Sequence, residues 1–428
     1  MESMQPLSWL GKLWRNESGN ALVVCAATLP LVIGAAAIGV DTIQVGVAKR
    51  QLQRTADSAA LAGAYAIVQS QDVDESVEYD LTLNDDIALS GAPTIENAPT
   101  VGDYAGNAYA VRVVLSAQRA VPFMSFFRGA QMGLTAEATA AIVYQGQYCM
   151  VSLEDTNVTG ITFSGSTSVN LGCGVVSNAT SANAISAGGS STVIASPVAA
   201  VGGVPSSSSY ASGTMLLPYS PAQSDPYSDL PTPTVPSGCN NQQYRILPNT
   251  APPAMTPVAG TTNVYCYRGF DIKGPWTIPA GAIIIVDGGT LEFGSQANVT
   301  GNGVTFILTS STAATDPSSI ATVSMHGNAV LDITAPTSGT YEGVLMYQDR
   351  RAPFGESHIN GNSASRFEGG FYFPSRQLTF NGNTGMRTQC LQLVARRLVF
   401  SGNSSVQNEC PEEGGAEAFD ATFVRLVG

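Results

Sequence analysis

Residues that carry chemistry are scarce in this chain. Only 12 % of its 428 residues are charged, and there are two histidines, His326 and His358. No C-x-x-C pair occurs, which weakens zinc and thioredoxin-like readings. There is no G-x-S-x-G elbow for a nucleophilic serine. There is no Walker loop and no G-x-G-x-x-G after a strand for a nucleotide. A basic surplus is missing too. Net charge is −13, and with residues 1–54 at +2 the remainder carries −15. Such an acidic body repels nucleic acid and anionic lipid. The sequence offers no catalytic site, no cofactor or metal site, and no nucleic-acid partner.

What is present favours β structure. There are 44 glycines, and 44 % of residues are hydrophobic, so the chain has material for a core and many turns. The length calls for two or three domains.

One segment is plainly apolar. "ALVVCAATLPLVIGAAAIGV", residues 21–40, is twenty residues without a charge, about the length that spans a bilayer as a helix. A cleaved signal peptide is the alternative, with Lys12 and Arg15 in front and Ala35-Ala36-Ala37 as an A-x-A-like site. A buried core helix is a third reading. The apolar run continues past Ala37 into a segment that reads as helix, so we take the span as a retained anchor. Basic residues flank it on both sides and leave its orientation open.

Seven cysteines are present. Cys25 lies inside the span; Cys149, Cys173, Cys239, Cys266, Cys390 and Cys410 remain, and six cysteines allow fifteen connectivities. Sequential pairing closes loops of 24, 27 and 20 residues. Disulfides place the chain after residue 41 in an oxidising compartment and the first residues in the cytoplasm. The alternative is six buried free thiols.

Residues 41–70 read as a helix, with Val45, Ala48, Leu52, Ala56, Ala59, Gly63 and Ile67 on one face and Arg50, Arg54, Asp57 and Ser58 on the other. Gly63 weakens the helix there but lets a neighbour approach closely. Residues 71–147 read as a small α+β unit, with strands at "AYAVRVVLSA" and "LTAEATAAIVY" and a short "MSFFRGA" segment between them. Residues 197–260 hold twelve of the 24 prolines and the run Ser206–Ser209, which suggests an extended insertion rather than a core.

The remainder repeats itself. "LTFNGNTGM" (378–386) returns as "LVFSGNSSV" (398–406), with relatives "ITFSGSTSV" (161–169), "ISAGGSSTV" (185–193), "LEFGSQANV" (291–299) and "VSMHGNAVL" (323–331), and a looser "INGNSASRF" (359–367). Alternating apolar residues make a strand with one buried face. Gly with Asn or Ser makes a tight turn with positive φ. A strand–turn–strand unit of twenty-odd residues, used repeatedly, marks a stacked β-solenoid. Coils about 4.8 Å apart would bring cysteines one coil apart within disulfide reach. A β-sandwich with Gly-Asn hairpins is the alternative fold.

Three clusters invite chemistry. His326 and His358 each precede a Gly-Asn turn and could form a metal pair only if coils stack them. "YQDRRAP" offers Asp349, Arg350 and Arg351, with Asp287 and Asp332 on neighbouring coils, for a polysaccharide lyase or glycosidase. A solvated loop with an ion pair is the plainer reading of that cluster, and the one we take. "FEGGFYF" (367–373) is the most aromatic stretch and could hold a surface glycan, although alternation should bury about half of its rings.

The N-terminal stretch "ESGNALVVCAATLPLVIGAAAIGVDTIQVGVAKRQLQRTADSAALAGA" resembles the TadE/TadG family of Flp (tight-adherence) pilus assembly proteins. Gly19 before the span, Asp41 just after it, and "LQRTADSAALAGA" carry the resemblance. "IPAGAIIIVDGGTLEF" (278–293), "ITAPTSGTYEGVLMYQDR" (333–350) and "CLQLVARRLVFSGNSSV" (390–406) look like the long periplasmic region of TadG-type members. The resemblance implies a bacterial inner-membrane protein, single-pass, with its C-terminal domain in the periplasm. It acts with other Tad proteins to assemble or anchor an adhesive pilus. Prepilin-like members carry Glu five residues after the cleaved Gly; here that position is Val24, so we expect no processing. No D-x-S-x-S metal motif of a von Willebrand A domain is found.

The expectation is thus a mainly β protein. It comprises a cytoplasmic N-terminus (1–20), a transmembrane helix (21–40) and a helix with a small α+β neck (41–147). First solenoid coils (148–196), a Pro/Ser-rich insertion (197–260) and a main solenoid (261–428) follow. Its role is structural rather than enzymatic, with a homo-oligomer, an envelope adhesin and a glycan-binding module as further readings.

Overall fold

The computed structural model describes residues 17–121, 131–360, 364–382, 385–408 and 419–428. The chain divides into two units, Met1–Val143 with Val424–Gly428, and Tyr144–Phe423. It is mainly β, behind an N-terminal apolar helix.

In the first unit, helix α1 (Glu17–Val68) runs unbroken through Pro30. From Val24 onward it is long and apolar enough to cross a membrane. Leu29, Leu31, Val32, Ile33 and Ile38 all face outward. Further along, Ala48, Leu52, Ala56 and Ala59 are buried at helical spacing. They pack on an antiparallel sheet of β1 (Thr94–Asn97), β2 (Ala110–Ala120) and the first part of β3 (Gln131–Ser152). The sheet presents Val111, Val113, Leu115, Ala136 and Ala138 to the helix. Small residues on both sides let helix and sheet lie close. At Gly63 an added Cβ would stand 2.8 Å from Val111 Cγ1 and 3.0 Å from Val77 Cγ2, so the glycine marks the tightest approach. Val77 belongs to α2 (Val73–Leu83), whose start Asp72 caps by accepting from the Glu75 N–H at 2.9 Å. "MSFFRGA" lies outside the described residues.

The second unit is built from three parallel ladders. The first runs through 264–267, Ile283–Asp287, Thr305–Thr309, Val344–Gln348, 370–373, 391–395, 148–152, Gly174–Ser177, Val198–Ala200 and Leu216–Leu217. The second takes Asn240–Ile246, 270–272, Thr290–Phe293, Thr322–Met325, Glu356–Ile359, 377–380, 397–400, Ile161–Phe163 and Ile185–Ala187. The third takes Pro275–Thr277, Asn298–Gly301, Val330–Thr334, 366–368, 385–388, Ser405–Asn408, Ser168–Asn170 and Thr192–Ile194. Every described pairing here is parallel, whereas hairpins of a β-sandwich would pair antiparallel. The sandwich alternative therefore finds little support.

The repeated phrase occupies one corner of this arrangement. Leu378 pairs with Leu398, Leu398 with Ile161, and Ile161 with Ile185. Phe380, Phe400 and Phe163 stack inward with ring centroids 4.9 and 5.3 Å apart. Gly402, Gly165 and Gly189 follow at φ of 74°, 75° and 72°. A Cβ on Gly165 would lie 2.7 Å from the Gly402 carbonyl oxygen, and one on Gly189 2.8 Å from that of Gly165. The turn thus needs glycine twice over, for its φ and for the next turn stacked on it.

Spatial order differs from chain order. The last strands pair with the first: 391–395 lie beside 148–152, and Ser405–Asn408 beside Ser168–Asn170. The run that begins at residue 240 therefore ends against the run that begins at residue 148. Val204, Tyr210 and Leu216 belong to the core at the end of the 148–217 strands, and Met255 packs on the same core. Residues 218–239 cross back over the first ladder. "IIIVD", "TFILT" and "VLMYQ" are accordingly apolar without alternation, because that ladder is covered on both faces. Strands of the other two ladders, such as "TVSM" and "VLDIT", alternate.

Cys149 is bonded to Cys173 and Cys239 to Cys266, with Cα atoms 5.9 and 4.8 Å apart. Both bonds link neighbouring strands of the first ladder or its covering segment. Cys25 is free and exposed. Cys410 lies outside the described residues, and a Cys390–Cys410 bond with it.

Candidate functional site: the strap clamp and the neck helix

Asp349, Arg350 and Arg351 follow a first-ladder strand; the two arginines hold the crossing segment 218–239, the strap, and Asp349 pairs with Arg351. Arg350 donates from Nη1 to the Leu230 carbonyl at 2.8 Å, from Nη2 to Ser228 at 3.0 Å and to Tyr227, and from Nε to the Tyr372 hydroxyl at 2.7 Å. Arg351 donates to the Pro233 carbonyl at 3.1 Å and to Asp349 Oδ2 at 2.6 Å. Tyr347 donates to the Pro231 carbonyl at 3.2 Å, and Tyr372 to Asp225 Oδ2 at 2.6 Å. A proline-rich segment has few N–H groups with which to join a ladder, so its carbonyls take their donors from side chains instead. Burial pushes the Asp349 carboxyl up, but hydrogen bonds from Arg351 and Thr309 outweigh it and hold the group below its ordinary value.

The other carboxylates do not join it. Asp287 accepts from the Ser311 N–H at 2.6 Å. Asp332 is on the third ladder, in a shallow trough of about 610 Å³ with Thr277, Thr300, Asn302 and Arg366. His358 is on a strand, paired with Ser324, while His326 is in the turn that follows. Among the described residues no group of three or more His, Cys, Asp or Glu converges.

"FEGGFYF" departs from the expectation. Phe367, Phe371, Tyr372 and Phe373 are all buried, not half of them. The outward ring, Tyr372, lies under Tyr227 of the strap, with centroids 5.2 Å apart. Tyr227 donates to Gln392 Oε1, and a Cβ on Gly370 would overlap its hydroxyl. These rings are packing and offer no open glycan platform.

A second buried carboxylate carried no sequence signal. Glu154 is wholly buried and accepts from Arg396 Nε at 3.0 Å, Arg397 Nε at 2.7 Å and the Thr156 hydroxyl at 2.6 Å. Burial opposes its ionisation, but these hydrogen bonds outweigh burial and bring its pKa down to about 2. Arg396 and Arg397 also lie 5.0 and 4.8 Å from the centroid of the exposed Phe354 ring. The cluster ties the 148–163 strands to the 391–400 strand.

In the first unit the functional element is α1 itself. Its outer surface is exposed and apolar from Val24 to Val47, and within that stretch Asp41 is fully buried. The stretch is a candidate membrane span by length and composition. Residues 19–66 match the family described as putative Flp pilus-assembly TadE/G-like. This is a TadE/G-like segment. No curated protein and no solved structure matches the chain. The TadE/G-like segment takes in the apolar span, Asp41 and the buried stripe Ala48, Leu52, Ala56, Ala59 and Gly63 that seats α1 on its sheet. It supports a role in Flp pilus machinery. Gly19, Asp41 and "LQRTADSAALAGA", which carry the resemblance in sequence, all fall within the match.

Proposed function

We propose that this protein is a structural component of a Flp (Tad) pilus assembly apparatus. It is anchored in the bacterial inner membrane by α1 and carries its ladder unit in the periplasm. The observation that carries this reading is the TadE/G-like match lying on a helix long and apolar enough to span a bilayer. We read the three parallel ladders as a β-solenoid that serves as a rigid body, and the protein as non-catalytic. The lyase reading loses its best candidates, since Arg350 and Arg351 are engaged in holding the strap and Asp349 is paired with Arg351. Disulfides within the ladder unit favour an oxidising compartment.

The test is an electron-microscope count of pili on cells lacking the protein, beside a complemented strain. Loss of pili that returns on complementation supports the reading. Pili in normal number would refute it and bring an envelope adhesin forward.

A further inference from the structure

The cations of α1 gather where its bare apolar surface stops. Along one face of the helix, Ile43 and Val47 are 68 % and 51 % exposed, and Arg50 and Arg54 continue the same row, both exposed, at steps of three and four residues. Lys49 stands exposed beside them. The face thus passes from apolar to basic within about one helical turn. The opposite face of this stretch, with Ala48, Leu52 and Ala56, is packed on the neck sheet, so the three cations lie on the side away from it.

The neck supplies no counter-ion for them. None of the three takes part in an ion pair among the described residues. Asp57, just beyond Arg54 on the helix, accepts from Gln53 Nε2 at 2.8 Å, and Glu137 is paired with Arg112. Arg50 and Arg54 are a like-charged pair one turn apart, which costs stability until an anion sits between them. Position says which anion. The apolar stretch 24–47 measures about 36 Å along the helix, enough to cross the hydrocarbon of a bilayer with some tilt. With Val47 at the edge of the hydrocarbon, Arg50 lies about 5 Å and Arg54 about 10 Å further along the axis. The headgroup layer is about 5–7 Å deep, and a long basic side chain can reach back into it.

We infer that Lys49, Arg50 and Arg54 form a headgroup site that holds the phosphate of an anionic phospholipid, with its acyl chains against Ile43 and Val47. A guanidinium matches phosphate oxygens as a planar fork, and two of them are stacked one turn apart here. The cationic headgroup of a zwitterionic lipid would bring a further positive charge to the same collar. The chain as a whole carries −13, so general attraction to an anionic surface is absent and the preference has to come from this collar. This deepens the reading of α1 as a membrane anchor and rests on it.

The test uses the full chain in a non-ionic detergent, with bound lipid counted by native mass spectrometry in ammonium acetate. The probes are phosphatidylglycerol and phosphatidylcholine of equal chain length. Phosphatidylglycerol is expected to be held about tenfold more tightly, with the preference shrinking as salt is raised. Lys49→Gln, Arg50→Gln and Arg54→Gln together should abolish the preference. Arg50→Lys with Arg54→Lys keeps the charge and should keep most of it. Removing three exposed cations of the ladder unit, by Arg245→Gln, Arg268→Gln and Arg366→Gln, should change it less than twofold. Glycerol phosphate, an anion without acyl chains, should compete poorly. A wild-type chain with no preference would overturn the proposal, as would a triple neck variant that retains it. Equal loss in the ladder variant would reduce the effect to diffuse charge, and ready displacement by glycerol phosphate would make the site one for free phosphate; either overturns it as well. The anchor is tested apart, by carbonate extraction of cell membranes. A chain that stays in the membrane but shows no lipid preference loses this proposal alone, while a chain released by carbonate loses the anchor reading and this proposal with it.

Discussion

Leu393 pairs with Met150, so a strand near the end of the ladder unit lies beside the strand that opens it. The 148–217 strands cannot be completed on that side until residues 391–408 have been made. Long-range pairing of this kind is slow to form. The same arrangement obliges the chain to travel back along the first ladder, and residues 218–239 do so as the strap.

Arg350 is the main fastener of that strap. Replacing it by Ala removes donors to three strap carbonyls and to Tyr372. We expect a loss of about 2–4 kcal/mol, felt locally. Hydrogen exchange should show 218–239 losing protection while the inner strands, such as Thr305–Thr309, keep theirs. Unchanged protection of the strap would show that Cys239–Cys266 and apolar packing hold it without Arg350.

Glu154 gives the ladder unit an acid-sensitive joint. Its pKa is lowered in the folded chain to about 2, against about 4.3 for an unfolded Glu. A depressed carboxyl contributes stability that is full above the unfolded value and is lost as pH falls through the folded one. Discounted for the partly exposed arginines, the contribution is about 2–3 kcal/mol. Glu154→Gln should therefore be less stable than wild type at pH 7, with the gap narrowing between about pH 4.5 and pH 2. Urea melts across that range would measure it. A gap that stays constant down to pH 2 would assign the loss to packing rather than charge.

Much of the ladder corner was legible in the sequence because Phe and Gly recur where rings and turns stack, as at Phe380, Phe400 and Phe163. The helix face through Leu52, Ala56, Ala59 and Gly63 was legible for the same reason, a strict period. The strap was not, since prolines from 218 to 236 carry no period and their role depends on donors far away in sequence, Arg350 and Arg351. A clue did exist: "IIIVD" and "TFILT" lack alternation, which means burial on both faces. The order of the ladders was hidden altogether. Repeat spacing says that Leu398 and Ile161 belong to equivalent units, but not that they are neighbours. Glu154 was missed because Arg396 and Arg397 sit more than half the chain away.

Gly63 is the position at which α1 can least afford a side chain. Ala would gain about 1 kcal/mol of helix propensity but would press on two stiff β-branched valines, Val111 and Val77. Ile adds bulk with nowhere to go and should cost about 1–3 kcal/mol. Thermal melts of Gly63→Ile should show a lower Tm, and the hydrogen bond that the Ser58 hydroxyl on α1 donates to Asp80 Oδ1 on α2 should loosen. A melt equal to wild type would mean that α2 moves aside freely.

Ser357 marks the opposite case, a residue whose replacement should help. It points inward on the second ladder, beside Leu378, and it is fully buried. Its hydroxyl finds no hydrogen-bond partner among the described residues. The equivalent positions on other strands are Leu291, Val323, Leu398 and Ile161, all apolar and buried. A buried hydroxyl without a partner costs about 1–3 kcal/mol. Val is β-branched, favours strands and replaces the hydroxyl by apolar atoms. Ser357→Val should therefore raise the midpoint of urea unfolding by the equivalent of about 1 kcal/mol, with no change in slope. A lower midpoint would show that the hydroxyl is satisfied in solution, by an ordered water bridging to a neighbouring carbonyl.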